Sequence, residues 1–521
     1  MAATALNSTL PYRPNIDLKR NLSDIKTVYE PIRSGEFRVL QVGGFDSQGC
    51  LVTSLHHRRL QEPGQYVAIS YTWNEKDKLW YGDYDTSPKP VLINGTMVRV
   101  TDKVASIICQ ALKLGRSYLW IDAVCINQSD LGEKSHQVSS MGSIYRQATE
   151  VLAMIGSPSE ATDTVFDAAN AFVTDSSQIL PATAMKQLSN LINGEYWTRA
   201  WILQELTLAK SILVCCGTRT TDIRSIAKIG KDFEDRVQNA ESLSELWDYR
   251  SFVWTALSGF VTQRGFYSAE DLGSLGQGTR ESLLEVLENS RHYYGCSDPR
   301  DMLYSRLALA ADASNLIPHP DYTIAVEESY TRFATNCIML TKSLKVITFA
   351  NSTTMNLPSW VPDWSFKQRP WDATGEFTKL SEEIARLRWD EKDLPRISRC
   401  RQELMVQGRT LGEVTKRDWL ETIASRTMGF SKFSRAYQSS DIPQKGDILC
   451  LLRGCPFPIH LRAVKDHFIV VNRHSIGRTY GEEVGLTSIY TRDGGQSEHT
   501  VYSLASFEDT QNLPEIVFKI R

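Results

Sequence analysis

The sequence is short of the compact motifs that mark the commoner enzyme classes. It has no G-x-x-x-x-G-K-[ST], hence no P-loop; Gly132-Glu133-Lys134-Ser135 carries the lysine and serine without the preceding glycine spacing. G-x-G-x-x-G, G-x-S-x-G and H-E-x-x-H are missing too, which leaves no Rossmann fingerprint, nucleophile elbow or helical zinc site. The ten cysteines never fall as C-x-x-C, so a zinc ribbon or thioredoxin-type motif is excluded and no metal site is expected. Most of them read as small buried apolar residues in a reducing compartment. The histidines are dispersed, and His460, His467 and His474 read as surface or turn residues. No apolar run approaches ~18 residues, so no membrane span is expected. The opening stretch MAATALNSTLPYRPNIDLKR lacks the apolar core of a signal peptide, which makes the cytoplasm the expected location. Net charge is small as well. A net charge of -3 over 521 residues gives no electrostatic reason to expect nucleic acid or an anionic membrane as partner.

What is present is an ordinary globular composition, 42% hydrophobic and 23% charged, on a chain long enough for two or three domains. Its centre is the stretch from Tyr118 to Gly156. Tyr118-Leu119-Trp120-Ile121 is a short apolar run suited to a strand buried on both faces, which places Asp122 at the strand's carboxyl end. Asp130 then caps a helix, with Glu133 three residues on as in a capping box. Val138, Met141, Ile144, Tyr145 and Ala148 give that helix one apolar stripe. Val151 to Ile155 is a second buried strand, stopped by Gly156. Strand, loop, helix and strand make a βαβ unit.

Upstream, residues 1–35 are polar and proline-dotted and read as an arm. Phe37 to Val42, Leu51 to Leu60 and Tyr66 to Tyr71 read as strands, followed by a polar loop from Trp73 to Lys89 of a length that is commonly functional. Asn94-Gly95 between apolar runs predicts a hairpin over Val91 to Val100, and a helix capped by Thr101 or Asp102 runs to Gly115. Downstream, helical patterns over Asp163–Val173 and Ala184–Leu191 precede a helix from Tyr196 to about Ala209 and a core strand from Ile212 to Cys215. Four apolar runs separated mainly by helices predict an α/β domain over residues 36–220, with a parallel sheet flanked by helices. Residues 221–350 read as an α-helical domain in which Asp298-Pro299-Arg300-Asp301 begins a helix. Residues 351–402 form an extended and charged segment, with Leu357 to Trp364 pinned by two tryptophans. Short apolar runs and glycine turns predict a small β-rich C-terminal domain over 403–521.

The central stretch also carries a family resemblance. LWIDAVCINQSD (residues 119–130), with Glu133, Gln137-Val138, Met141 and Ile144-Tyr145, resembles the signature of the fungal heterokaryon incompatibility (HET) domain. YVAISYTW (66–73) resembles that family's opening strand and YWTRAWILQE (196–205) its closing motif. Asp298-Pro299-Arg300-Asp301 and LPSWVPDW (357–364) resemble segments that commonly follow it. The resemblance implies a role in cell death after fusion of genetically different hyphae, with protein partners for non-self recognition and assembly into a homo-oligomer on activation.

The HET domain is in turn similar to Toll/interleukin-1 receptor (TIR) domains in the order of these elements, which implies a TIR-like, flavodoxin-like sheet. Trp201-Ile202-Leu203-Gln204-Glu205 has the W-x-x-x-E spacing of the TIR helix whose glutamate is catalytic in enzymes that cleave NAD; Ile202 stands where TIR domains usually have cysteine. The resemblance therefore implies Glu205 as the catalytic carboxylate, with Ser70, Trp73, Asp122 and Trp201 binding NAD as substrate and no resident cofactor. A carboxylate beside the ribose would stabilise an oxocarbenium-like transition state, and an indole could stack on the nicotinamide or adenine. The structural alternatives are that Glu205 pairs with Arg199, that Trp201 is plain core, and that Asp122 bonds the amides of the Cys125–Gln128 loop. Two functions follow: an NAD-cleaving signalling enzyme, or a non-catalytic death-signalling scaffold acting through protein contacts.

Overall fold

The computed structural model describes residues 24–73, 89–157, 159–174, 191, 194–226, 281–291, 294–350, 355–365, 395–416, 444, 446–456, 459–473, 501–502 and 516–521. The expected arm before residue 24, the loop at 74–88, most of the 184–191 helix, residues 227–280 of the helical region and the charged stretch 366–394 lie outside them. The contacts divide the chain into two compact units. The first takes the described residues within Met1–Val286, Tyr293–Ala311 and His319–Thr323; the second takes those within Leu287–His292, Asp312–Pro318 and Ile324–Arg521.

The first unit is built on nine strands: β1 (Glu36–Phe45), β2 (Leu51–Arg59), β3 (Val67–Tyr71), β4 (Lys89–Ile93), β5 (Thr96–Val100), β6 (Tyr118–Trp120), β7 (Glu150–Gly156), β8 (Ile212–Cys216) and β9 (Arg219–Asp222). They form one sheet in the order β5-β4-β2-β1-β6-β3-β7-β8-β9. Its centre is parallel, with β3 between β6 and β7 and β8 beyond β7. All of β3 is buried, as is β7 after its first residue, so both faces of these strands are covered.

The sheet as a whole is mixed, and the expected parallel sheet is its centre. A tight turn held by Asp46, whose carboxylate accepts the Gln48 and Cys50 N–H groups, folds β2 back on β1, and β1 then lies antiparallel on β6. Asn94 and Gly95, both at positive φ, close the expected hairpin of β4 and β5. In chain order the four parallel strands run 2-1-3-4 across the sheet. The winding direction thus reverses at β3, the kind of switch point where open sheets place their ligand groups.

The helices that matter here are α1 (Asp102–Lys113), the short α2 (Asp122–Cys125), α3 (Leu131–Gln147), α4 (Glu160–Thr174), α5 (Ile202–Thr207) and α6 (Asp301–Tyr304). Asp130 caps α3 through the Gly132 and Glu133 N–H groups, as expected. Glu133 does not complete a capping box. Its carboxylate accepts the Asn127 N–H at 2.7 Å and a bidentate pair of bonds from Arg38 at 2.7 and 3.0 Å. Arg38 also donates to the Cys125 and Glu30 carbonyls and lies over the Tyr29 ring. One buried guanidinium on β1 thereby ties down the whole turn from Asp122 to Asp130.

The single helix expected from Tyr196 to Ala209 is instead two pieces, a 3-10 turn at Glu195–Thr198 and then α5. The break has a cause. The Thr198 carbonyl and the Ala200 N–H are taken by the backbone of Gly295, at 2.7 and 2.8 Å, and cannot join a helix. The turn that follows, Leu307–Leu309, packs on α3, where a Cβ added to Gly142 would run into that of Ala308.

In the second unit, Phe333 of α7 (Val326–Thr341) packs on Trp364, and Trp360 and Trp364 are both fully buried; Pro358 and Val361 close a turn, so the segment is bent where it was expected to be extended. Arg291 stacks on Phe349 and Trp364. Seven strands follow: β10 (Arg396–Ile397), β11 (Leu404–Lys416), β12 (Ile448–Leu452), β13 (Ile459–Val464), β14 (His467–Arg473), β15 (Val501–Tyr502) and β16 (Ile516–Ile520). Five of them, β11-β12-β13-β14-β16, close into a ring because β16 pairs both β14 and β11. Leu404, Val406, Phe518 and Ile520 are its buried residues where β11 meets β16. The small β-rich domain is thus a barrel-like sheet. His460 is buried on β13 rather than at the surface, because its strand lies within that ring, and His474 lies outside the described residues. All described cysteines are free, and all but Cys109, Cys296 and Cys400 are buried. Among the described residues no helix is long and apolar enough to cross a membrane.

Two stability predictions follow from these contacts. Glu133→Ala strands the buried Arg38 and should lower the urea unfolding free energy by about 3–5 kcal/mol; a loss under about 1 kcal/mol would show that the pair does not hold the turn. Gly142→Ala should cost about 1–3 kcal/mol by overpacking against Ala308, read from the same unfolding curves.

Candidate functional site

Three segments converge at the carboxyl end of the parallel strands: the end of β3, the turn after β6, and the stretch from Tyr196 into α5. Ser70 sits one residue before the end of β3 and is buried. Its hydroxyl donates to Glu205 Oε2 and lies 2.7 Å from the Tyr196 hydroxyl. Serine has one proton to give and an ionised carboxylate has none, so Tyr196 donates to Ser70 and Ser70 donates to Glu205. Burial holds the Tyr196 phenol in its neutral form, as a donor must be.

Glu205 is only 1% exposed, which requires that its charge be matched inside the protein. Arg199 supplies the match, with Nη2 to Oε1 at 3.3 Å and Nη1 to Oε2 at 3.4 Å. Burial works against the Arg199 charge, and Glu205 and Asp122 more than restore it. The expected alternative of a Glu205–Arg199 pair is therefore real, and it coexists with the Ser70 bond.

Asp122 opens α2 directly after β6. It accepts the Trp73 indole N–H at 3.0 and 3.2 Å and its own neighbour's Ala123 N–H at 2.7 Å. Its backbone carbonyl takes the Gln128 side-chain amide at 3.0 Å, so the bond to the loop runs through Asp122's main chain and not through its carboxylate. Burial pushes the Asp122 carboxyl up to about 6; the Glu205 charge adds to the rise, while Arg199, the Ala123 amide and Trp73 oppose it. Tyr71, the last residue of β3, is buried beside it and held neutral by burial and by the Asp122 charge. Trp73 is 49% exposed although its N–H is engaged, so its ring remains open to solvent.

Of the five residues singled out in the sequence, four thus form two bonded pairs, Ser70 with Glu205 and Trp73 with Asp122, linked electrostatically through Arg199. Trp201 joins neither pair. Its indole N–H donates to Asp301 Oδ2 at 3.0 Å. Sequence reasoning missed Tyr196 and Asp301 as parts of the arrangement, and it had Arg199 only as the partner of Glu205 in the structural alternative. Arg199 had a legible signal, a lone cation within an otherwise apolar, tryptophan-rich stretch. Among the described residues no three His, Cys, Asp or Glu side chains converge as metal ligands would.

Residues 66–205 match the family model described as Heterokaryon incompatibility protein (HET). Over these residues the chain is similar to HET domains. The match begins at Tyr66, just before β3, and ends at Glu205, so it brackets the carboxylate cluster. The chain is also similar to Heterokaryon incompatibility protein 6, OR allele, of Neurospora crassa, 22% identical over 375 residues. That alignment covers 59% of this chain and 54% of the relative, so the chain spans about half the relative's length. No solved structure matches it.

The raised Asp122 pKa fixes a sign for pH dependence. The folded state binds this proton more tightly than the unfolded chain, so the group's contribution to stability falls as pH rises from about 4 to about 6 and is constant above. The unfolding free energy of the wild type minus that of Asp122→Asn should fall over the same window; a pH-independent difference would contradict the assignment.

Proposed function

We propose that the HET domain is a latent NAD glycohydrolase whose activity, released on assembly with protein partners and with copies of itself, carries a cell-death response in fungal heterokaryon incompatibility. The supporting observation is the carboxylate of Glu205, bonded by Arg199 and Ser70 at the carboxyl end of β3, beside the switch point of the 2-1-3-4 parallel strands. That strand order and the W-x-x-x-E spacing are what a TIR-like, flavodoxin-like domain would have, and the match to a relative named for heterokaryon incompatibility supports the biological role.

In this reading the bond between ribose C1′ and the nicotinamide nitrogen breaks with its electron pair going to the nitrogen. Nicotinamide leaves neutral, without a general acid. Glu205 stabilises the positive charge left on the ribose, water adds to C1′, and its proton is released to solvent. The exposed ring of Trp73 stacks on the nicotinamide or adenine ring, and Asp122 orders Trp73 through its N–H. Ser70 and Arg199 hold the Glu205 carboxylate in place. The cytoplasm, where NAD is at hand, is the matching location.

Glu205 is 1% exposed, so the conformation seen keeps the carboxylate from solvent, as a resting state should. The same closure favours a second reading. A carboxylate satisfied on all sides by Ser70 and Arg199 also suits a non-catalytic scaffold that signals through protein contacts.

Nicotinamide release from NAD by the wild type, concentrated or artificially clustered, separates the two readings. Release that drops at least about 100-fold in Glu205→Gln and in Ser70→Ala, with folding intact, supports the enzyme. No release from any of the three supports the scaffold, and release that survives Glu205→Gln shows that another group does the chemistry.

A further inference from the structure

The Glu205 site depends on a clamp that lies outside the family-matched segment. Residues 294–306 and 319–323 belong to the same compact unit as the HET domain although they follow it by some ninety residues. Three of their contacts fall on Thr198, Ala200 and Trp201, just ahead of α5. Gly295 N–H donates to the Thr198 carbonyl at 2.7 Å, and the Gly295 carbonyl accepts the Ala200 N–H at 2.8 Å. Asp301 Oδ2 then accepts the Trp201 indole N–H at 3.0 Å. Arg199 lies inside the backbone pairing, as the bridge partner of Gly295. Trp201 in turn starts the helical turn that carries Glu205, whose N–H donates to the Trp201 carbonyl at 3.1 Å.

Asp301 is itself fixed. Its Oδ1 accepts the Tyr322 hydroxyl at 2.5 Å. Tyr322 is anchored to α3 by the bond from its N–H to the Ser135 hydroxyl at 3.1 Å and by Lys134 over its ring, 4.1 Å from the centroid. Arg300, paired with Asp298, donates to the Tyr322 carbonyl at 2.8 Å. A carboxylate placed among Trp201, Tyr322 and the backbone therefore joins α3 to the first turn of α5. Nothing in this chain of bonds touches the reacting position itself.

We propose that Asp301 is a positioning residue for the candidate site: by holding the Trp201 indole it sets the start of α5, and with it the placement of Arg199 and Glu205 against Ser70. The inference rests on Glu205 being the centre of the site, and it concerns geometry, so it can be tested whether or not the protein cleaves NAD. Asparagine can keep both bonds, accepting from one partner and donating to the other, while leucine of similar volume can keep neither.

Hydrogen–deuterium exchange of the full chain separates these variants. Asp301→Leu should speed exchange of the 198–206 amides by about tenfold or more, leaving β3 and β7 protected, while Asp301→Asn should match the wild type. Trp201→Phe should reproduce the leucine effect, and combining it with Asp301→Leu should add little, because both remove the same bond. Unchanged exchange at 198–206 in Asp301→Leu would overturn the proposal. So would acceleration spread equally over β3 and β7, or an asparagine variant as fast as leucine, since each marks a general loss of packing. If the wild type releases nicotinamide, Asp301→Leu should lower kcat with little change in KM. If it releases none, the exchange result still decides the positioning role.

Discussion

The constraint on which the first unit depends is the burial of one negative charge. Glu205 is closed off from water at the end of the parallel strands, and a carboxylate there persists only if cation and hydrogen-bond donors meet it. Arg199 and Ser70 do so, and each is fixed in turn: Ser70 by its place in a strand buried on both faces, Arg199 by the backbone pairing with Gly295. Tyr196 completes the group by donating to Ser70. Interior polar networks of this kind are costly when partly satisfied and specific when complete. That explains why so short a helix as α5 has a defined start, since α5 alone, with six residues, would be marginal.

A second buried charge does parallel work on the other side of β6. Arg38 reaches from β1 to Glu133 and to the Cys125 carbonyl of the Asp122–Asp130 turn, and so gives Asp122 a rigid base from which to hold Trp73. The two arrangements meet through electrostatics. Asp122 feels both charges: Glu205 raises its pKa and Arg199 lowers it. The exposed Trp73 ring is the part of this assembly most open to a ligand.

Much of this was legible in the residues. The four core strands were readable because runs such as VAISY and VLAMI are almost unbroken in apolar residues, and the hairpin because Asn94-Gly95 supplies two positive φ angles. Ser70, Trp73 and Asp122 could be placed at one end of the sheet because they lie at or just beyond strand ends, whereas Glu205 was read on a helix with Trp201. The misses share a physical cause. The antiparallel strands around the parallel centre, the role of Glu133 and the break at Thr198–Ala200 are all decided by partners distant in sequence, Arg38 in one case and Gly295 in another. Local spacing put Trp201 and Glu205 on one helical face; tertiary contacts gave Trp201 to Asp301 and Glu205 to Ser70. The β-rich end could be recognised from its turns, but ring closure could not, since it depends on the pairing of β16 with both β11 and β14.

The central claim is that the Glu205 carboxylate is the group a substrate must reach. A crystal structure with a non-cleavable NAD analogue, grown from clustered protein, addresses it directly. The account requires the ribose carbon that bears nicotinamide to lie in van der Waals contact with Glu205, with one of the analogue's rings on Trp73. An analogue bound with its ribose away from Glu205, while Glu205 stays closed between Ser70 and Arg199, would contradict it.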